Sequence, residues 1–464
     1  MTIWKPDLTG RTGPKYRQLV DAIADAIAAG TLRPGTRLPP QRILAYALDI
    51  SPNTTNRAYA ECVARGLLQG EIGRGTFVRI QPPPTGEGVV ADLHRPASGP
   101  IDLSRNLPFP GLAASHLSRS LTELGKSVDL QVFLDYQTEA GLRHHLAAGR
   151  DWLSRSGVNA RPGEIVISCG AQHGILATLL ALTRPGDVLL TEELSYAPVR
   201  MMARRFGLQL HPVPMDENGL LPEALEEACQ RRAARALYLM PTLQTPTTVT
   251  LSEERRAAIA EIAGQRDLIL IEDDVYGPLR PGNMTPLAEL APERTVYLSS
   301  CSKCLSPGLR VAFLRAPEPL VPAVRDAVTL SCWMPPPLMV EIAARWISDG
   351  TADRLTEAQQ DEAVARQTSA REILAGHDFC ADPYGFHLWL NLPPGWSSEA
   401  FCAAAAKRGV QLAGGAAFAV DPAQQSSAVR LSLSHEPGRE RVAAGLRIVA
   451  GLLTEPGGTD SLLI

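Results

Sequence analysis

The chain has 464 residues, 45% of them apolar and 20% charged, with a formal net charge of −4. Such a chain is globular and has more than one domain, and no stretch approaches the roughly 20 apolar residues of a membrane span. The start, "MTIWKPDLTGR", lacks the apolar core of a signal peptide, and eight cysteines in so long a chain suit free thiols better than a disulfide framework, so a cytoplasmic protein is expected. Charge is uneven: residues 1–80 hold eleven Lys+Arg against six Asp+Glu, which leaves the rest at −9. A basic front on an acidic body hints at a nucleic-acid module joined to something else.

In chain order, "YRQLVDAIADAIAAG" (16–30) places Tyr16, Leu19, Val20, Ile23 and Ile27 at helical spacing, with Gly30 suited to the C-terminal cap. "LRPGTRLPPQRILAYAL" predicts a turn and a short second helix. "DISPNTTNRAYAECVARGLL" predicts a third, with Ser51 as N-cap and Pro52 at the first helical position. Tyr59, Cys62 and Val63 are expected to face inward, and Asn53, Thr54, Asn56 and Arg57 outward near the helix start. This is the layout of a helix-turn-helix, whose last helix presents its N-terminal residues to base edges. "GLLQGEIGRGTFVR" (66–79) predicts a hairpin with Arg74 at its tip between Gly73 and Gly75, a slim cationic end for phosphates or the minor groove.

"LPPQR", "NRAYAE", "RGLL" and "GRGTFV" stand in order and at the spacing of the winged helix-turn-helix of GntR-type transcriptional regulators, which residues 14–79 resemble. The resemblance implies Arg42, Thr54 and Arg74 as DNA contacts. Pro52 stands where many relatives carry arginine; it offers no side-chain donor, which shifts readout toward Asn53 and Asn56.

"QPPPTGEGVVADLHRPASGP" (81–100) reads as a linker, stiff around Pro82–Pro84. Domains are therefore expected at 1–80 and 101–464. Past the linker, apolar runs at 164–169, 187–192, 236–240, 268–273, 295–300 and 311–316 alternate with helical stretches such as 252–265. That pattern predicts an α/β domain with a largely parallel sheet covered on both faces. Residues after about 331 are expected to build helices and short strands of a smaller lobe.

"SSCSKCLSPGLR" (299–310) holds the pivotal lysine. The Cys301–Cys304 spacing suggests zinc, but no second Cys or His pair lies near it and no metal site is expected. Pyridoxal phosphate needs a Schiff-base lysine, an acid for its ring nitrogen, donors for its phosphate and a flat partner for its ring. Lys303 follows a predicted strand, with Ser300 before it and Arg310 after it. Asp273 ends another strand, "SCGAQHG" (168–174) opens a helix with free N–H groups, and Tyr196 is an aromatic for stacking.

Residues 101–450 resemble fold-type I aspartate-aminotransferase-like proteins. The resemblance implies Lys303 as the Schiff-base lysine and Ser300, Arg310, Gly170, Ala171 and Gln172 as a phosphate cup. It implies Asp273 and Tyr276 as partners of the ring nitrogen and 3′-oxygen. Tyr136 resembles a tyrosine reaching the phosphate of a neighbouring subunit, and Arg430 an arginine clamping a substrate carboxylate. Thr245 replaces the family's asparagine at the 3′-oxygen, which weakens the case for efficient transamination more than that for cofactor binding.

The two halves together resemble the MocR subfamily of bacterial regulators. That resemblance implies a cytoplasmic homodimer that binds an operator in double-stranded DNA and senses a small amino compound by aldimine exchange at Lys303. Two alternatives stay open: a working aminotransferase with a vestigial DNA module, and a DNA-binding protein whose large domain only dimerises.

Overall fold

In the computed structural model the described residues are 4–9, 11, 13–28, 31–32, 35–64, 67–71, 75–78, 99–127, 129–137, 141–282, 284–421 and 427–455. Gly30, Gly73, Arg74 and all but the last two positions of the expected linker lie outside them. The chain divides into two compact units, Met1–Pro96 and Ala97–Ile464.

Among the described residues the first unit has three helices, α1 (Lys15–Ala28), α2 (Gln41–Ala47) and α3 (Pro52–Ala64), then an antiparallel pair β1 (Leu68–Glu71) and β2 (Gly75–Val78). Leu19, Val20 and Ile23 of α1 are fully buried against Leu44, Ala58, Tyr59, Cys62, Leu68 and Val78. The Ser51 hydroxyl accepts from the Thr54 amide at 3.2 Å, the expected cap of α3. Val63 departs from expectation, with 44% of its surface exposed. The inward face of α3 runs through Thr55, Ala58, Tyr59 and Cys62, spaced by three and four, and Val63 is one residue past its edge.

The second unit is built on a seven-stranded sheet. Its strands, in spatial order, are Ile165–Ser168, Ala312–Arg315, Thr295–Ser300, Ile269–Asp273, Ala234–Leu239, Val188–Glu192 and Gln209–Val213. Neighbours are parallel except around Ala312–Arg315, which is antiparallel to both. All six strands predicted from apolar runs are present, and Gln209–Val213 is an addition.

Strand alternation divides the core. Ile269 and Ile271 pack on the face that holds Trp152, Ile175 and Trp346, whereas Leu270 packs on the opposite face with Leu237 and Ile259. Asp273, in phase with Ile269 and Ile271, is delivered to the first face at the carboxyl end of the strand. Glu272, out of phase, is buried on the other face. There it accepts from the Leu287 and Ala288 amides at 3.0 and 2.9 Å, which caps a short helix.

A four-stranded antiparallel sheet in the order Phe379–Cys380, His387–Asn391, Ala428–Ser432, Ala413–Gly414 forms a smaller lobe with helices Ser398–Lys407 and Arg439–Leu453. Ile101–Asp102 pairs with Val410–Gln411, so the segment after the linker belongs to this lobe before crossing to the large one. Among the described residues no helix is long and apolar enough to cross a membrane.

Candidate functional site

A cavity of about 350 Å³ opens at the carboxyl ends of the large sheet's strands, the edge where open α/β sheets bind ligands. Its walls carry Lys303, Asp273, Tyr276, Thr245, Tyr196, Ala171, Gln172, Ser300, Arg310 and Arg430. Residues far apart in sequence thus meet because most follow or end a strand of one sheet, while Arg310 precedes an antiparallel strand of it and Arg430 comes from the sheet of the smaller lobe. Gly170 adjoins the cavity, and Tyr136 does not: it is 78% exposed, with its ring 5.4 Å from that of Trp333.

Lys303 lies in the short helix Cys301–Cys304 that immediately follows strand Thr295–Ser300. Its Nζ donates to the Asn106 carbonyl at 2.6 Å and sits 5.4 Å from the centre of the Tyr276 ring. Burial, reinforced by the nearby Arg430 guanidinium, pulls its pKa from 10.5 down to about 8. Asp273 accepts from the Tyr238 hydroxyl at 2.6 Å through Oδ2, whereas Oδ1 is buried with no partner. Desolvation raises this carboxyl to about 6.

The far end of the cavity is built for an anion. Gly170, at φ 81°, caps helix Ala171–Leu182, whose first amides have no intrahelical acceptor. A Cβ at Gly170 would stand 2.6 Å from Arg310 Nη2, so only glycine lets that guanidinium lie against the loop. Arg310 also donates to the Cys169 carbonyl at 3.0 Å. The Ser300 hydroxyl accepts from the Ser302 amide at 3.1 Å and lies 3.0 Å from its Oγ. The Tyr196 hydroxyl donates to Gln172 at 3.3 Å, and burial pushes that phenol up to about 12.

Arg430, on strand Ala428–Ser432, donates to the Ser104 carbonyl at 2.6 Å and stacks 4.7 Å from the Phe418 ring centre. Its Nε is buried without a partner. Lys303, Arg310 and Arg430 therefore face a cavity whose lining, among the described residues, includes a single carboxylate, Asp273. The surplus of positive charge favours an anionic ligand.

Asn106 has no counterpart among the sequence motifs. Its carbonyl holds Lys303, its Nδ2 donates to the Tyr276 hydroxyl at 2.8 Å, and the same amide is 3.0 Å from His387 Nδ1. Tyr276 thus meets an amide from a distant segment as well as the Thr245 hydroxyl. Tyr238, Met240, Ser302 and His387 also adjoin the site without a sequence signal. Tyr238 and Met240 are brought there by the order of the large sheet, Ser302 by its place beside Lys303, and His387 by the smaller lobe.

Pyridoxal 5′-phosphate fits this donor set. A protonated ring nitrogen would satisfy the orphaned Asp273 Oδ1, and the cradle at Gly170 with Arg310 suits a phosphate. Lys303 presents an amine on the same wall.

In the first unit Arg42, Asn53, Asn56 and Arg57 are exposed, whereas Thr54 is half-buried with its hydroxyl 2.8 Å from Ser51 Oγ. The Arg57 guanidinium stacks 3.9 Å from the Tyr16 ring centre, which commits it to the α1–α3 contact. Arg74 lies outside the described residues.

Residues 101–445 match the family described as aminotransferase class I and II, and residues 15–78 match bacterial regulatory proteins of the gntR family. The chain is 30% identical over 457 residues to an uncharacterized HTH-type transcriptional regulator, YdeF, of Bacillus subtilis, covering 97% of each chain. It is 29% identical over 439 residues to the vitamin B6 salvage pathway transcriptional repressor PtsJ of Salmonella typhimurium, covering 94% of this chain and 98% of that one. Among solved structures, LysN, an alpha-aminoadipate aminotransferase of Thermus thermophilus complexed with N-(5'-phosphopyridoxyl)-L-leucine, superposes with a TM-score of 0.69 at 26% identity. It covers 77% of this chain and 92% of its own.

Proposed function

Since the chain belongs to the class I and II aminotransferase family through residues 101–445 and carries a gntR-family module at 15–78, we propose that it is a cytoplasmic, DNA-binding transcriptional regulator. In this reading its large unit holds pyridoxal 5′-phosphate and senses a small amino compound. The domains are 1–80 for DNA, 81–100 as linker and 101–464 for the cofactor. One observation carries the reading: Asp273 Oδ1, buried without a partner, and the Lys303 amine line the same cavity. An unmet buried acceptor costs about 1–3 kcal/mol, and a ligand with a ring N–H restores it.

Gly170, Ala171, Gln172, Ser300 and Arg310 would hold the phosphate, Tyr196 the ring face, Asp273 the ring nitrogen, and Tyr276 with Thr245 the 3′-oxygen. Tyr136 of one copy would reach the cavity of a second, which makes the functional unit a homodimer. When bound, the cofactor supplies an aldehyde that condenses reversibly with primary amines. Lys303, with its pKa near 8, keeps about one amine in ten unprotonated at pH 7. Arg430 would take the carboxylate of an amino acid, in place of the Ser104 carbonyl it now holds.

Two of the cavity's cations, Arg430 and Lys303, are held by carbonyls of one segment, Ser104 and Asn106. An amino compound whose carboxylate takes Arg430 from Ser104 and whose amine frees Lys303 to hold Asn106 would change which of these carbonyls is held, in the segment that leads directly back to the linker. That is a differential contact of the kind that shifts an equilibrium between conformations. The exposed residues Arg42, Asn53 and Asn56, together with Thr54 and Arg74, are assigned to the operator, and Arg57, stacked on Tyr16, braces the helix that presents them.

The test is a spectral titration of the purified protein with a panel of amines, with and without DNA from upstream of its own gene. Amine-dependent changes in both the visible spectrum and DNA affinity are expected. Amino-donor turnover with keto acids at the rate of a dedicated enzyme, with no specific footprint, would overturn the reading in favour of an aminotransferase.

A further inference from the structure

Three thiophilic side chains converge beside the phosphate end of the cavity, at a place the proposed function does not use. Cys169 follows strand Ile165–Ser168, His173 is in the first turn of helix Ala171–Leu182, and Cys332 ends helix Val321–Cys332. All three are half-buried, and one ligand atom from each lies within 4.8 Å of the others. The two sulfurs are 3.6 Å apart. Two metal–sulfur bonds of about 2.3 Å at a tetrahedral angle span about 3.8 Å, so the thiols already stand at the edge of a tetrahedron.

His173 is oriented for the same task. Its Nε2 is 2.8 Å from Ser331 Oγ, and that hydroxyl is itself 2.5 Å from the Ala327 carbonyl. Nδ1 accepts from the Cys169 amide at 3.0 Å. The network therefore places the ring proton on Nε2 and commits the Nδ1 lone pair to the Cys169 amide, a hydrogen bond that a metal bound at Nδ1 would replace. Metal-bound imidazoles are characteristically held in this way, with the far nitrogen donating to a neighbouring oxygen.

We propose that Cys169, His173 and Cys332 form a binding site for a thiophilic divalent cation, zinc being the reference ion, with a fourth position open to water. On binding, each thiol loses its proton to solvent, and two thiolates with a dication add no net charge beside Arg310. Because the thiols release their protons on binding, affinity rises with pH. The ion would tie both ends of the Gly170 loop to helix Val321–Cys332. The other three-ligand group among the described residues, His144, His145 and Glu341, is already served by a cation: Arg345 donates to the Glu341 carboxylate at 2.6 Å.

The probe is cobalt(II), titrated into the reduced, chelator-stripped full-length protein. The expected result is one equivalent per chain, with tetrahedral d–d bands and sulfur-to-cobalt charge transfer that zinc bleaches. Cys332→Ala and Cys169→Ala should abolish the bands, Ser331→Ala should weaken binding about 10–100-fold by removing the partner of His173 Nε2, His173→Ala should weaken it further, and Cys229→Ala should leave it unchanged. A pale octahedral spectrum in the native protein, or full bands in Cys332→Ala, would overturn the site. So would peroxide joining Cys169 to Cys332 in a protein that gives no cobalt bands, which would make the pair a redox couple instead.

Discussion

Lys303 and Asp273 carry opposite penalties for the same reason, the loss of water around a charge. For Asp273 the folded-state pKa, about 6, stands above the ordinary 3.8 of an aspartate. The folded protein then binds more protons than the unfolded one between those values, and this group makes the ligand-free protein less stable as pH rises through them. Asp273→Asn should remove that slope, leave the ligand-free protein at least as stable at pH 7, and cost more than tenfold in pyridoxal-phosphate affinity. Calorimetric melts at several pH values and a cofactor titration check both halves. For Lys303 the shift is downward, to about 8, and the neutral amine is the reactive form. Its rate of capture of added pyridoxal phosphate should rise through pH 8 and level off above it, by stopped-flow absorbance. Lys303, Asp273, Tyr276 and Arg310 were legible because each stands at a strand end within a recognisable string. Asn106 and His387 were not, since their place at the site depends on how the smaller lobe meets the large sheet.

The elements divide between those fixed by local pattern and those fixed by context. Strands such as Ile269–Asp273 are read directly because both faces are covered and the run that opens them, Leu268–Ile271 here, is apolar. Gln209–Val213 escapes, because "QLHPV" is a half-exposed edge strand that contains proline. Helix α3 is clear in extent but not in its inner edge, where one residue separates Val63 from the core. On this helix Ser51→Ala should cost about 1 kcal/mol through the lost cap, measurable as a lower melting temperature and weaker DNA binding. Arg42→Ala should weaken binding to all sequences alike and reduce the salt slope by about one, as loss of a phosphate contact does. Asn56→Ala should instead relax preference at one base pair, at a cost of about 1–3 kcal/mol. Competition binding over a range of salt concentrations separates the two.

At the scale of the molecule, two units with different charge share one chain, and the sequence shows both because each has its own core and its own motifs. A segment that pairs with the smaller lobe at Ile101–Asp102 and holds Lys303 and Arg430 through its carbonyls is the shortest covalent route from the cavity to the linker. Occupancy of the cavity should therefore be felt by the DNA-binding unit. The most direct test compares the native protein with Lys303→Ala, recording the affinity for promoter DNA at fixed salt while an effective amine is titrated in the presence of pyridoxal phosphate. The account predicts that the amine shifts the affinity of the native protein and leaves that of Lys303→Ala unmoved. An equal shift in both proteins would contradict it.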